Sequence, residues 1–238
     1  DFVGSRGLGD VYKRQASFYL TENAKKKINE ILDGETIVTA STYADDIKSD
    51  SRYDEYYNWH FINMELDEDY EDTVPSEKGD VFIAINKCLD ILESDSVTDS
   101  EKSFYLKLLI HFIGDLHQPM HIGRYEDRGG NRVYVKWFGR NSNLHRVWDS
   151  EMINGYNMSY SELAKNLPTP EKLEIEFERD DVIGWVNEIH SYTRNIYKDV
   201  SSGDNLGYEY QYKNFPTVKD LILKGGLRLA ALLNYLFD

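Results

Sequence analysis

The chain has almost no cysteine: of its 238 residues, Cys88 is the single one. One thiol cannot close an internal disulfide, so no disulfide framework supports the fold, and cysteine usage sets no compartment. The same scarcity excludes a multi-thiolate zinc site. Any transition-metal site must therefore be built from histidine and carboxylate. Long apolar runs are also missing; no stretch of eighteen occurs, so nothing in the sequence is suited to span a membrane. Positive charge is short as well, with 27 Lys and Arg against 42 Asp and Glu and a net charge of -15. That balance excludes a broad basic face for duplex nucleic acid. It leaves room for local phosphate binding by multivalent cations in a cleft.

Helix signals dominate what is present. "TENAKKKINEILDG" opens on Thr21 as N-cap and closes on Gly34, with Ile28, Ile31 and Leu32 on one face. "ETIVTASTYADDIKSD" reads as a shorter helix and "YNWHFINM" as extended, followed by an acidic loop over residues 65–80. "VFIAINKCLDILES" is helical, and Thr98 or Ser100 caps a long helix that Pro119 ends. "NRVYVKWFG" alternates like a strand and suggests a short hairpin or ribbon. "NLHRVWDSEMI", "YSELAKNL" and "RDDVIGWVNEIHSYTRNIY" return to helix, and Pro216 marks the start of a last one. Residues 1–15, "DFVGSRGLGDVYKRQ", lack helical periodicity and the apolar core of a signal peptide. They resemble adapter-derived sequence and are expected to lie outside the fold. The expectation is one mainly α-helical domain over residues 16–238, without repeats or linkers, whose natural N-terminal segment is missing.

Histidine is concentrated. "HFIGDLHQPMH", residues 111–121, carries three of the chain's six. On a helix His111 and Asp115, four apart, share a face, whereas His117 points elsewhere. Pro119 ends the helix, so His121 can swing in from the next segment. Downstream, "NLHRVWD" repeats the spacing with His145 and Asp149. A lone His-x-x-x-Asp pair is commonly a surface contact. Two pairs, with His121 nearby and His60 in an aromatic segment, have the donor types that a tetrahedral or five-coordinate zinc site requires. His117 and His190 read as structural or surface residues, and Trp59 and Trp148 as packing.

The ordered set "HFIGDLHQPMH", "DRGGN" and "NLHRVWD", preceded by "YADDIK" and "WHFIN" and followed by "GGLRLAALLN", resembles the S1/P1 nuclease family from about residue 16 onward. Bacterial zinc phospholipases C share that fold. Tyr43 departs from the family's usual Trp and leaves Asp45 in place. The resemblance implies three zinc ions in one cleft. One would be held by Asp45, His60, His111 and Asp115, and a second by His121, His145 and Asp149. Asp115 would bridge the first ion to a third, whose other family ligands, an N-terminal Trp and a nearby His, have no counterpart here. Two ions are therefore expected to be fully ligated.

The resemblance further implies hydrolysis of single-stranded DNA and RNA to 5′-phosphate products, with 3′-nucleotidase activity. Asp45, Lys48 and Asp115 would carry the chemistry. Lys48 would sit near the phosphate, Phe61 and Asn63 would hold a base, and Asn131 would lie nearby. Unpaired strands or nucleotides are the implied partners, with no protein partner. The family is exported, which implies a secreted or periplasmic enzyme. The alternatives are a zinc phospholipase C acting on lipid headgroups, and a metal-dependent binding or storage protein without turnover.

Overall fold

The computed structural model describes residues 6–168, 170 and 176–238. It opens with α1 (Arg6–Ser17), where the sequence suggests a segment outside the fold. Val11, Tyr12 and Ala16 are buried in the core. Two glycines on neighbouring helices make room for this helix. A Cβ at Gly114 would stand 1.9 Å from the Tyr12 hydroxyl, and one at Gly226 would stand 2.7 Å from the Gln15 Cβ. The Tyr12 hydroxyl donates to the Ile110 carbonyl at 2.9 Å. Residues 11–13 and 15 thus belong to the core, a correction to the sequence reading. The pattern is hidden because Lys13 and Gln15, polar in composition, are buried with the apolar positions.

Helix α2 (Glu22–Ile31) starts as expected, with the Thr21 side chain accepting from the Ala24 N–H. The next expected helix breaks into two turns, α3 (Ile37–Ala40) and α4 (Tyr43–Asp46). Hydroxyls compete for the backbone at the break: Ser41 Oγ donates to Val38 O at 2.5 Å and Thr42 Oγ1 to Thr39 O at 3.2 Å. Residues Ser51–His60 form a 3-10 helix, so the first half of the segment expected to be extended, residues 57–60, is helical instead. Its aromatics recur every third residue, and i and i+3 eclipse in that helix type. Tyr53, Tyr56 and Trp59 accordingly pack in series, tilted and then edge to face, with ring centroids 6.2 and 4.8 Å apart. The strand β1 (Ile62–Asn63) follows.

Helices α5 (Val81–Glu93) and α6 (Asp99–Leu116) pack together. A capping box of Thr98 and Glu101 starts α6. Every residue of α6 from 108 to 116 is buried, so this is the central helix, and its polar side chains must find partners inside the protein. Pro119 opens a 3-10 turn that brings His121 back, and β2 (Ile122–Gly123) pairs in parallel with β1. That pairing ties the segment carrying His60, Phe61 and Asn63 to the one carrying His121.

The expected hairpin is present as β3 (Tyr134–Trp137) and β4 (Arg140–Asn143), joined through Phe138 and Gly139 at φ 48° and 77°. The segment that follows is helical throughout: α7 (Leu144–Arg146), a π turn (Val147–Glu151) and α8 (Met152–Asn154). Then come α9 (Tyr160–Lys165) and α10 (Asp181–Asp199). A two-residue strand, β5 (Asn205–Leu206), adds to β3 in parallel and had no sequence signal. The last helix, α11 (Tyr208–Phe237), starts eight residues before Pro216. Packing carries it through the proline, with the buried Phe215 ring stacked on Tyr156 at 3.9 Å. No helix of the described residues is long and apolar enough to cross a membrane.

Candidate metal centre

Histidine and carboxylate side chains converge as two groups. Asp45, His60 and His111 offer donor atoms within 4.8 Å of one another, and so do His121, His145 and Asp149. Asp115 stands between them. Its Oδ2 lies 2.7 Å from His60 Nδ1 and 2.9 Å from His111 Nε2, and its Oδ1 lies 3.3 Å from His121 Nδ1. The His111–Asp115 pair is the i, i+4 face of α6. The 3-10 helix supplies His60 at its last residue, α4 supplies Asp45, and the π turn brings Asp149 alongside His145. All seven expected residues come together.

Backbone carbonyls orient two of the rings. His111 Nδ1 donates to Ser41 O at 2.7 Å, leaving Nε2 to face Asp45 Oδ1 at 3.6 Å. The buried Lys13 ammonium donates to the same carbonyl at 3.3 Å. His145 Nδ1 donates to Gly129 O at 2.8 Å. A carbonyl can only accept, so Nδ1 of each ring carries a proton, and Nε2 is the nitrogen left to face a metal. Sequence reading missed Ser41 and Gly129 because their contribution is a main-chain oxygen. The Gly129–Gly130 pair, with positive φ values, was the available signal.

Charge and burial shape the site's protonation. Burial pushes the His60 and His145 imidazoles down, to about 4 and about 3. Both are neutral at pH 7, as ligands must be. Burial works to raise Asp45, but His111 and Lys48 outweigh it and hold the carboxyl at about 2. Asp115 is likewise held well below the usual range by His111 and His121, against its burial. Burial lifts Asp149 to about 6.

The donor set fits a divalent cation. Asp149 Oδ1 is buried with no hydrogen-bond partner. A buried carboxylate oxygen without a donor costs free energy that a bound cation removes. His121 Nε2 and Asp149 Oδ1 stand 3.9 Å apart, near the roughly 3.4 Å edge of a tetrahedron with metal–ligand bonds of about 2.1 Å. Imidazole and carboxylate donors without thiolate suit a divalent transition metal.

Both groups open on a cleft of about 540 Å³, lined by His60, His121 and His145 and by Lys48, Phe61, Asn63 and Asn131. The four expected substrate-side residues are therefore all on its wall. Lys48 Nζ also pairs with Asp45 Oδ1 at 2.7 Å, and Asn131 Nδ2 donates to Arg128 O at 2.9 Å. Tyr57, Tyr125, Arg128 and Arg132 line the same cleft and were not singled out from sequence.

The remaining histidines lie apart. His117 donates from Nδ1 to Ile113 O at 2.7 Å and accepts at Nε2 from Arg228 at 3.1 Å, a structural role as expected. His190 is fully buried, with neither ring nitrogen hydrogen-bonded. It is therefore structural, not a surface residue. Trp59 and Trp148 are core residues, as expected.

Residues 14–238 match the family model described as S1/P1 Nuclease. The chain is 29% identical to Endonuclease 4 of Arabidopsis thaliana over 269 aligned positions, which cover 99% of the chain and 89% of that protein. It is 30% identical to Endonuclease 2 of the same plant, covering 92% and 85%, and 28% identical to Nuclease S1 of Aspergillus oryzae, covering 83% and 78%. With the match running over nearly the whole chain, this protein belongs to the S1/P1 nuclease family, enzymes that hydrolyse phosphoester bonds.

Proposed function

We propose that the chain is a zinc-dependent phosphodiesterase that cleaves single-stranded DNA and RNA to 5′-phosphate products and also acts as a 3′-nucleotidase. The observation that carries this reading is the meeting of two histidine–carboxylate groups at Asp115, on a cleft whose wall offers Phe61, Asn63 and Lys48. Asp45, His60, His111 and Asp115 would hold one zinc, and His121, His145 and Asp149 another. The chemistry zinc supplies when bound is Lewis acidity, which withdraws charge from phosphoryl oxygens and makes water acidic enough to react near neutral pH.

The side chains do the rest. Asp45, kept ionised beside Lys48 and His111, accepts a proton or orients the attacking water. Lys48 brings positive charge to the phosphate. Phe61 provides a stacking face for an unpaired base, and Asn63 and Asn131 provide amide groups for its edge. A paired base within a duplex cannot reach such a wall, and a chain of net charge -15 attracts duplexes poorly. Export, to the cell exterior or the periplasm, accords with family membership.

The test is release of acid-soluble nucleotides from heat-denatured and native DNA, beside a phosphatidylcholine assay. Denatured DNA is expected to be degraded far faster than native DNA, with 5′-phosphate ends. Headgroup release without nucleotide release would replace this reading with a phospholipase. Zinc binding without either turnover would favour a binding protein.

A further inference from the structure

The cleft has a wall that the function proposed above leaves unused. Loop 124–132, sequence RYEDRGGNR, lines it through Tyr125, Arg128 and Arg132. The loop is held from beneath. The buried Asp127 carboxylate accepts from the Gly130 N–H and the Tyr197 hydroxyl, each at 2.7 Å, and from Arg124 Nε at 2.9 Å. The loop backbone passes close to Met120 at Gly129, where a Cβ would stand 2.2 Å from Met120 O and no side chain fits. Arg128 adopts φ 55°, a left-handed conformation that a non-glycine residue takes at some cost. A rigid loop thus presents this arginine against its own backbone preference.

Charge points the same way. In a chain with 42 acidic residues, Arg52, Arg146, Arg179 and Arg228 each face a carboxylate. Arg128 makes no side-chain hydrogen bond or ion pair among the described residues, and Arg132 donates only to the Glu126 carbonyl, at 3.1 Å. Glu126, which also lines the cleft, is already paired with Arg124 at 2.9 Å. Tyr125, 76% exposed, packs its ring on no other ring among the described residues. Two guanidinium groups without carboxylate partners beside an open aromatic face match the two recurring elements of a single strand, phosphate and base.

We infer that loop 124–132 is a clamp for a second nucleotide: Tyr125 stacks on the base neighbouring the one at Phe61, and Arg128 and Arg132 contact phosphates flanking the scissile one. The site therefore selects strands of two or more nucleotides over mononucleotides. This rests on the strand-cleaving function proposed above.

The experiment uses the full zinc-loaded chain and its Y125A, Y125F and R128Q/R132Q variants. Binding of a fluorescein-labelled phosphorothioate octathymidylate is followed by anisotropy across a salt series. kcat/KM is measured for unmodified octathymidylate and for thymidine 3′-monophosphate. Y125A should weaken strand binding roughly tenfold, with Y125F close to wild type. R128Q/R132Q should lower the slope of log affinity against log salt by about 1.4, since each contact on a single strand contributes about 0.7. Mononucleotide turnover should be unchanged in all three. Unchanged strand binding would overturn the clamp. So would an equal loss on the mononucleotide, because the loop would then act only by supporting His145. If the strand binds through these residues yet is not cleaved, the clamp stands and the proposed function fails. If cleavage proceeds but no variant changes it, the clamp fails and the function stands.

Discussion

His145 donates its Nδ1 proton to the carbonyl of Gly129, sixteen residues upstream, over 2.8 Å. A glycine loop thereby decides which nitrogen of a metal-site imidazole is free. Gly129 sits at φ 59°, with Met120 O 2.2 Å from where a Cβ would go. Gly129→Ala must displace the loop and release the ring. We expect zinc affinity at the His121, His145 and Asp149 group to fall about 10- to 100-fold, the usual cost of losing an outer-shell partner. Titration with a competing chelator checks this, and the Asp45, His60 and His111 group should keep its metal.

Asp115 touches three imidazoles of both groups, whereas His121 belongs to one. Asp115→Ala should therefore abolish turnover on denatured DNA more completely than His121→Ala. The wild-type chain should hold two zinc ions, one for each group, by elemental analysis, and His121→Ala about one. Equal residual rates for the two variants at equal zinc content would count against the bridging position.

Proton competition should be visible in the metal itself. Burial lifts Asp149 to about 6, and a proton must leave before its carboxylate can ligate. His121 is raised as well and must also release its proton, so zinc affinity at that group is expected to fall at least tenfold per pH unit below 6, measured by calorimetric titration at pH 5, 6 and 7.

In the metal-free chain the sign follows from the histidines. His60, His117, His145 and His190 are held at about 4, 3, 3 and 4, in each case chiefly by burial. A group whose folded pKa is depressed lets the unfolded chain take up a proton that the fold refuses. Stability is thus present above pH 6.5 and lost as pH falls toward 4. Asp149 and His121, both raised, oppose this as two groups against four. The urea midpoint in EDTA should drop from pH 7 to pH 5.

Gly114→Ala would place a methyl 1.9 Å from the Tyr12 hydroxyl, between α1 and α6. Overpacking of this kind costs about 1–3 kcal/mol. Equilibrium unfolding should show that loss. Truncation of residues 6–15 should be at least as damaging, since it removes the buried Val11 and Tyr12.

The helical class and the two His-x-x-x-Asp pairs were legible because both follow from local spacing, whereas Asp45 and the grouping of all seven residues were expected from the family resemblance. An i, i+4 pair on an apolar helix must share a buried face wherever that helix is placed, and Thr21 and Thr98 cap by rules acting within four residues. Tertiary structure decided what spacing cannot carry. Whether residues 11–13 and 15 join the core depends on glycines at 114 and 226, about a hundred and two hundred positions away. The helical form of residues 51–60 depends on aromatic rings finding one another, and the run of α11 through Pro216 on Phe215 meeting Tyr156. The tautomers of His111 and His145 are set by carbonyls of Ser41 and Gly129, which every residue type possesses. Side-chain chemistry is written in the sequence, but a main-chain oxygen acquires a role only when the fold brings it to its partner.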